Sequence, residues 1–465
     1  LNHLLYVSTR GRAEPAGFAD ILLRGLAPDG GLYVPQIWPR FSAAEIEGFA
    51  GAPYAEVAAT VLSRFTGTDF DLVTLQRLCR TAYGRFDHKD VVPLRELAPS
   101  LYLLELFHGP TLAFKDVAMQ ILAQLYDLEL ERQGRRLTIV AATSGDTGGA
   151  AVEAFRGSER VDMVVLFPEG RISEVQRRFM TTPEDANIHC LSVAGDFDAC
   201  QAMVKALFAD RAFADEVQLS GVNSINWGRI AAQSVYYFTA AAALAKTGAA
   251  PVFATPTGNF GDAYAGYVAK LMGLELNRIV VATNANDILA RALVSGRYRR
   301  GDAVATQSPA MDIQAASNFE RLYFEASGRD ATATARAFET FAREGDVTLP
   351  ASVFEAMRHT FAGRSVNEAE TSTCMKRALD RYGVLVDPHT AVGLAAAEDL
   401  DVAGPRVVLS TAHPAKFPEA VLAATGRTPD MPGAGAGLYD KPERFKRLAA
   451  DLEALKTFIR GAVRK

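Results

Sequence analysis

The feature that most limits what this chain can become is a repeated alternation of short β-branched runs with helix-length segments. LTIVAAT (137–143), VDMVVLFP (161–168) and IHCLSVAG (188–195) are followed by GGAAVEAFRG, ISEVQRRFM and FDACQAMVKALFAD, respectively. PVFATPTGN (251–259), RIVVATN (278–284) and RVVLSTAH (406–413) repeat the theme. Strands alternating with helices predict parallel, helix-covered sheets. The two clusters split near IAAQSVYYFTAAAALA, which starts at Ile230, contains Gln233 and Ser234, and falls short of a membrane-spanning helix. It reads as a buried core helix. The expected fold class is α/β, with two α/β halves around a cleft.

The rest of the chain sorts around that frame. A length of 465 residues leaves room for two or three domains. Residues 1–90 carry the helical patterns GFADILLRGL, AAEIEGFA, PYAEVAATVLSRFTG and DLVTLQRLCRTAYGRF, with a turn-rich APDGGLYVP between the first two, and read as a small, mostly helical domain. The expected boundaries are 1–90, 91–222 for the first α/β domain and 223–465 for the second. Within the last, residues 310–382 read as a helical insertion, TPDMPGAGAGLYDKP as a loop, and KPERFKRLAADLEALKTFIRGAVRK as a closing amphipathic helix.

Composition removes several classes of function. The net charge of −5 is small for this length, and no Lys/Arg run is interleaved with aromatics, so nucleic acid is not an expected partner. Cys79, Cys190, Cys200 and Cys374 are scattered without a CxxC pair, as expected of buried small hydrophobes in a reducing compartment. No apolar signal core or cleavage-like site stands near the N-terminus, so a cytoplasmic location is expected, with no membrane partner. The seven histidines stand apart and no metal is expected. The acidic balance fits a monomer or a homodimer.

Three local features carry chemistry. In HGPTLAFKD (108–116), Lys115 follows the apolar Leu112, Ala113 and Phe114 and precedes the helical DVAMQILAQLYDLELER. Burial disfavours the charged amine, which makes Lys115 a candidate nucleophile or base. A helix-start lysine with a solvated head is the other reading. In AATSGDTGGA (141–150) and ATPTGNFGDAYAG (254–266), a strand passes through a glycine turn into a helix. Free amides at such helix starts favour anions, while simple N-capping explains the same residues. Neither turn is a Rossmann fingerprint, since Thr147 and Phe260 stand where a second glycine is required. P-loop, H-E-x-x-H and G-x-S-x-G patterns are absent. A phosphorylated carbonyl cofactor that joins a lysine would use all three features, and pyridoxal 5′-phosphate is such a cofactor.

The chain resembles the threonine synthases, in their longer form with an extra N-terminal domain, essentially from end to end. YVSTRG and FADILLRGLAPDGGLYVP are similar to that N-terminal domain. HGPTLAFKD, ATSGDTGGA, SINWGRI, PTGNFGD and LSTAHPAKFPEA follow in the family's order. The resemblance implies a fold-type II pyridoxal-phosphate enzyme, akin to the tryptophan synthase β group, that converts O-phospho-L-homoserine and water to L-threonine and phosphate. It implies Lys115 as Schiff-base lysine and general base. It also implies a cofactor site of Gly258, Asn259, Phe260 and Asp262, with Thr411 as hydroxyl partner of the ring nitrogen. Ser144, Gly145, Asp146 and Thr147 would bind substrate, with Asn226, Arg229 and Lys416 as candidates for its departing phosphate. A relative that stops at 2-oxobutyrate remains an alternative, as does, from another class, a nicotinamide-dependent oxidoreductase.

Overall fold

The structure, a computed structural model, describes residues 4–464. Two sheets form its frame. One has five parallel strands in the order Lys446–Ala449, Ile188–Ala194, Val161–Pro168, Leu137–Ala142, Leu219–Ser220. Its middle strand, Val161–Pro168, is buried at every residue. That accounts for the apolar run MVVLFP that follows Asp162, because helices cover both faces and no position faces water. The other sheet has six strands: Phe361–Ser365, Arg278–Thr283, Val252–Pro256, Arg406–Ser410, Leu101–Glu105 and Leu94–Ala98. Only its last pair is antiparallel.

The six strands expected from apolar runs are all present, and the long apolar segment is the helix Trp227–Leu244. This helix is buried along nearly its whole length and packs against the helices Lys115–Gln133, Gly261–Leu271 and Tyr54–Thr66. Among the described residues no helix is long and apolar enough to cross a membrane. The N-terminal segment contributes a two-stranded antiparallel ribbon, Tyr6–Ser8 with Tyr33–Pro35, and four helices, the longest Tyr54–Thr66 and Leu72–Tyr83. Its Tyr6, Phe18 and Phe65 share one continuous core with Trp227 of the central helix. Each such fully buried side chain contributes about 1.5–3 kcal/mol relative to exposure.

Sheet membership departs from chain order at three places. Leu94–Ala98 and Leu101–Glu105, expected with the first α/β domain, join the six-stranded sheet through pairing with Arg406–Ser410. Conversely, the closing segment, expected as one helix of the second domain, is a strand and a helix, and both serve the first sheet. Lys446–Ala449 pairs with Ile188–Ala194, and the helix Leu452–Ala462 buries Leu455 and Ile459 with Val164, Leu191 and Leu207. Residues 310–382 are mostly helical, yet Phe361–Ser365 inside them forms the edge strand beside Arg278–Thr283. The region is therefore built into the frame and is not an appendage.

Candidate active site

Lys115 is placed by its own loop. Thr111 donates both its amide and its hydroxyl to the Asp116 carboxylate, at 2.7 and 2.6 Å. Leu112 takes a positive φ of 61° to make the turn. The loop then lies against the end of the strand Arg406–Ser410: the Phe114 amide donates to the Thr411 carbonyl and the His413 amide to that of Leu112. Lys115 opens the helix that follows, buried, with its amine over the Phe114 ring. Burial lowers its pKa against the pull of Asp146, and Lys416 and Arg229 push the same way as burial. Of the two sequence readings, the dry amine is the one found.

Lys115 lines a cavity. Both glycine turns reach it. In the first, the Thr143 hydroxyl accepts from the amides of Gly145 and Gly148. Asp146 and Thr147, at the start of the helix Asp146–Phe155, line the cavity, whereas Gly145 and the half-buried Ser144 do not. Asp146 is the hub of a buried ionic cluster. One carboxylate oxygen meets the Lys416 amine at 2.7 Å and accepts from Gln176 at 3.0 Å, and the other lies 3.6 Å from the Lys115 amine. Burial alone would raise its pKa, but Lys416 and then Lys115 outweigh that and hold it well below the ordinary carboxylate range.

In the second turn, Thr257, Gly258, Asn259, Gly261 and Asp262 line the cavity. A Cβ on Gly258 would lie 2.8 Å from the Ala310 carbonyl oxygen and 3.0 Å from the Met311 Cα, so only glycine fits there. Among the described residues, no protein acceptor takes the amides of Gly258, Asn259 or Gly261. With the helix Gly261–Leu271 running away behind them, these amides form an anion cradle. Asp262 bonds back to Thr257 and is pushed up to about 6 by burial.

Several expected residues play other parts. Phe260 does not face the cavity. It adopts a φ of 66°, gives its amide to the Thr257 hydroxyl and buries its ring against Phe319 and Phe361. Asn226 is no phosphate ligand, because it caps the helix Trp227–Leu244 with its oxygen and donates to the Leu22 carbonyl and the Tyr126 hydroxyl. Lys416 likewise lies outside the cavity, since its amine is engaged by Asp146 and by the Thr111 carbonyl at 2.7 Å. Arg229 is the candidate that does line the cavity. It is 2 % exposed, its Nε has no partner, and another guanidinium nitrogen donates to the Val222 carbonyl. Burial lowers its pKa to about 10, so it remains charged at neutral pH. Thr411 lines the cavity at the strand end.

The structure adds residues that sequence reasoning passed over: Phe114, Ser224, Gln233, Ala310, Met311 and His389. His389 donates from Nδ1 to the Asp387 carboxylate at 2.7 Å, and its Nε2 accepts from the Ala310 amide at 3.2 Å. That bond fixes the Pro309–Met311 turn beside Gly258. In the sequence, DPHT reads as a capped helix start, which it also is.

A buried amine, a cradle of free amides, a buried guanidinium with a free Nε and a strand-end hydroxyl thus meet in one cavity. These residues fit a phosphorylated carbonyl cofactor. Comparisons with known proteins agree. The family model "Threonine synthase N terminus" matches residues 5–83, "Pyridoxal-phosphate dependent enzyme" residues 90–411, and "Threonine synthase, C-terminal" residues 390–459. The chain is 44% identical to the threonine synthase of Pseudomonas aeruginosa, over 98% of its own length and 97% of the relative's. It superposes on the PLP-bound threonine synthase of Brucella melitensis with a TM-score of 0.97, at 49% identity, over 99% of this chain and 100% of the other. The yeast threonine synthase follows at 0.92 and 36% identity, with 98% of each chain covered. The chain belongs to the threonine synthase family, pyridoxal-phosphate-dependent lyases of fold type II.

Proposed function

We propose that the cavity around Lys115, with pyridoxal 5′-phosphate bound, converts O-phospho-L-homoserine and water to L-threonine and phosphate. The observation that carries this reading is the meeting of the dry Lys115 amine with two kinds of anion partner, the amide cradle and Arg229, in one cavity. The reaction needs such a set, because cofactor and substrate each bring a phosphate.

When bound, the cofactor supplies an aldehyde that captures amines and a ring that withdraws electrons from the carbon beside the captured nitrogen. Lys115 holds it in the resting protein. With its amine free, Lys115 would take the proton from the substrate Cα and, once it has passed that proton on and is neutral again, take one from Cβ. Burial lowers its pKa, which favours the neutral amine a base requires. The free amides of Gly258, Asn259 and Gly261 hold the cofactor phosphate. Thr411 offers the ring nitrogen a hydroxyl, a weaker partner than a carboxylate. The first-turn amides at Asp146 and Thr147, with the Thr147 hydroxyl, take the substrate carboxylate. Arg229 steadies the phosphate that leaves Cγ before water adds at Cβ. Asp146, pinned by Lys416, keeps a carboxylate beside Lys115 and balances the positive charge in the cavity.

The test is borohydride reduction of the cofactor-loaded protein followed by peptide mapping, with product analysis on O-phospho-L-homoserine. Expected are a pyridoxyl group on the peptide containing Lys115, equal release of phosphate and threonine, and loss of both tag and turnover in Lys115→Ala. Phosphate release accompanied by 2-oxobutyrate in place of threonine would establish the lyase alternative.

A further inference from the structure

Behind the cofactor-phosphate cradle lies a second layer of polar groups that touches neither cofactor nor substrate. Asn318, fully buried, points its amide group at two carbonyl oxygens, those of Ser224 at 3.1 Å and Asn259 at 3.2 Å. Its backbone amide donates to the Asn259 carbonyl as well, at 3.2 Å. Its side-chain oxygen accepts from Arg321, which is also fully buried. The Arg321 guanidinium donates further to the Ile225 carbonyl at 2.7 Å and to the Tyr33 carbonyl at 3.0 Å. Its oxygen partners are thus three neutral acceptors, and among the described residues it forms no ion pair.

The arrangement matters because of what a peptide turn presents to an anion. Each peptide carries an N–H that attracts phosphate and a C=O that repels it. Ser224 and Asn259 both line the cavity, so their carbonyls stand where they could face a bound phosphate. Held from behind by Asn318, these oxygens are turned away, and the Asn259 carbonyl is doubly bonded in that orientation. Gly261 completes the fit, since a Cβ there would come within 3.2 Å of the Asn318 amide nitrogen.

We propose that Asn318 and Arg321 are positioning residues for phosphate recognition: they hold the carbonyls of Ser224, Ile225 and Asn259 away from the cavity and place a buried positive charge behind the cradle. This rests on the reading of residues 257–262 as the cofactor-phosphate site. Lysine cannot replace the arginine, because three divergent oxygens need a planar fork and not a point charge. The Tyr33 contact also makes the N-terminal ribbon part of the support.

The test compares two ligands on the full chain stripped of cofactor: pyridoxal 5′-phosphate and pyridoxal, which keeps the aldehyde and lacks the phosphate. Spectral titration gives Kd for both in the wild type, in Asn318→Ala and in Arg321→Lys, which keeps the buried charge if the alanine variant does not fold. The expected result is a wild type that strongly prefers the phosphorylated ligand. In the variants, Kd for pyridoxal phosphate should rise at least tenfold, while that for pyridoxal stays within about twofold. If both ligands weaken equally, or neither does, the two residues merely support the fold and the proposal is overturned. A wild type with no preference between the ligands would instead remove the phosphate-site reading itself.

Discussion

At the residue scale, the cavity is a set of buried charges whose protonation follows from their neighbours. Asp262 is the clearest case. Burial raises its carboxyl from 3.8 to about 6, so the folded state favours the protonated form. Its contribution to stability is full below about pH 4 and is lost as the pH rises through about 6, a difference on the order of 3 kcal/mol. Asp262→Asn, neutral at every pH, does not lose it. Urea unfolding of the cofactor-free protein should show the variant gaining on the wild type between pH 4 and pH 7, and a gap that ignores pH would contradict this assignment. Lys416 makes the opposite point. Removing its charge leaves Asp146 buried with only the more distant Lys115, so Lys416→Met should destabilise the protein by about 3–5 kcal/mol, read from the same unfolding curves. Lys115 and the glycines were legible in sequence because a basic residue in an apolar run, or glycines at a strand end, are locally odd. Ala310, Met311 and His389 were not. Their contribution is shape or a hydrogen bond from far along the chain, and neither leaves a local mark.

Elements were legible in proportion to their burial. The six central strands announce themselves as β-branched runs because most of their positions are buried. Leu94–Ala98 and Lys446–Ala449 are edge strands with alternating or charged residues, and in isolation RLAADLEALK follows helical spacing. Phe361–Ser365 is half-exposed and lies between two helices, which hid it in a helical stretch. The turn at residues 257–262 was visible as an anion site, but sequence could not show which amides stay free. Thr257 claims that of Phe260, leaving Gly258, Asn259 and Gly261. This element tolerates little. Gly258→Ala should force the turn off the Pro309–Met311 segment and weaken pyridoxal phosphate by tenfold or more in spectral titration, with the overall fold retained by circular dichroism. Unchanged affinity would mean that the two segments part easily.

At the scale of the whole molecule, the two sheets exchange chain ends. The segment after the Arg406–Ser410 strand returns to the first sheet, where Lys446–Ala449 covers the edge of Ile188–Ala194 and Arg464 pairs with the buried Asp162 at 2.7 Å. Ending the chain at Asp440 would strip that edge and uncover the apolar residues that Leu455 and Ile459 cover. The expected loss is at least about 3 kcal/mol from the two side chains alone, together with dye binding to the newly exposed apolar surface. A truncated chain that unfolds at the same urea concentration would show the closing segment to be ornamental.

That return of the chain sets an order of events during synthesis. The five-stranded sheet begins to emerge from the ribosome with Leu137, yet its outer strand, Lys446–Ala449, follows every strand of the six-stranded sheet. The six-stranded sheet, started with Leu94, likewise waits for Arg406 to fill the gap between Val252–Pro256 and Leu101–Glu105. The six-stranded sheet is complete first, and the other gains its edge only with Lys446. The cavity, which draws on residues from Phe114 to Ala412, is therefore closed only after the Arg406–Ser410 strand has emerged.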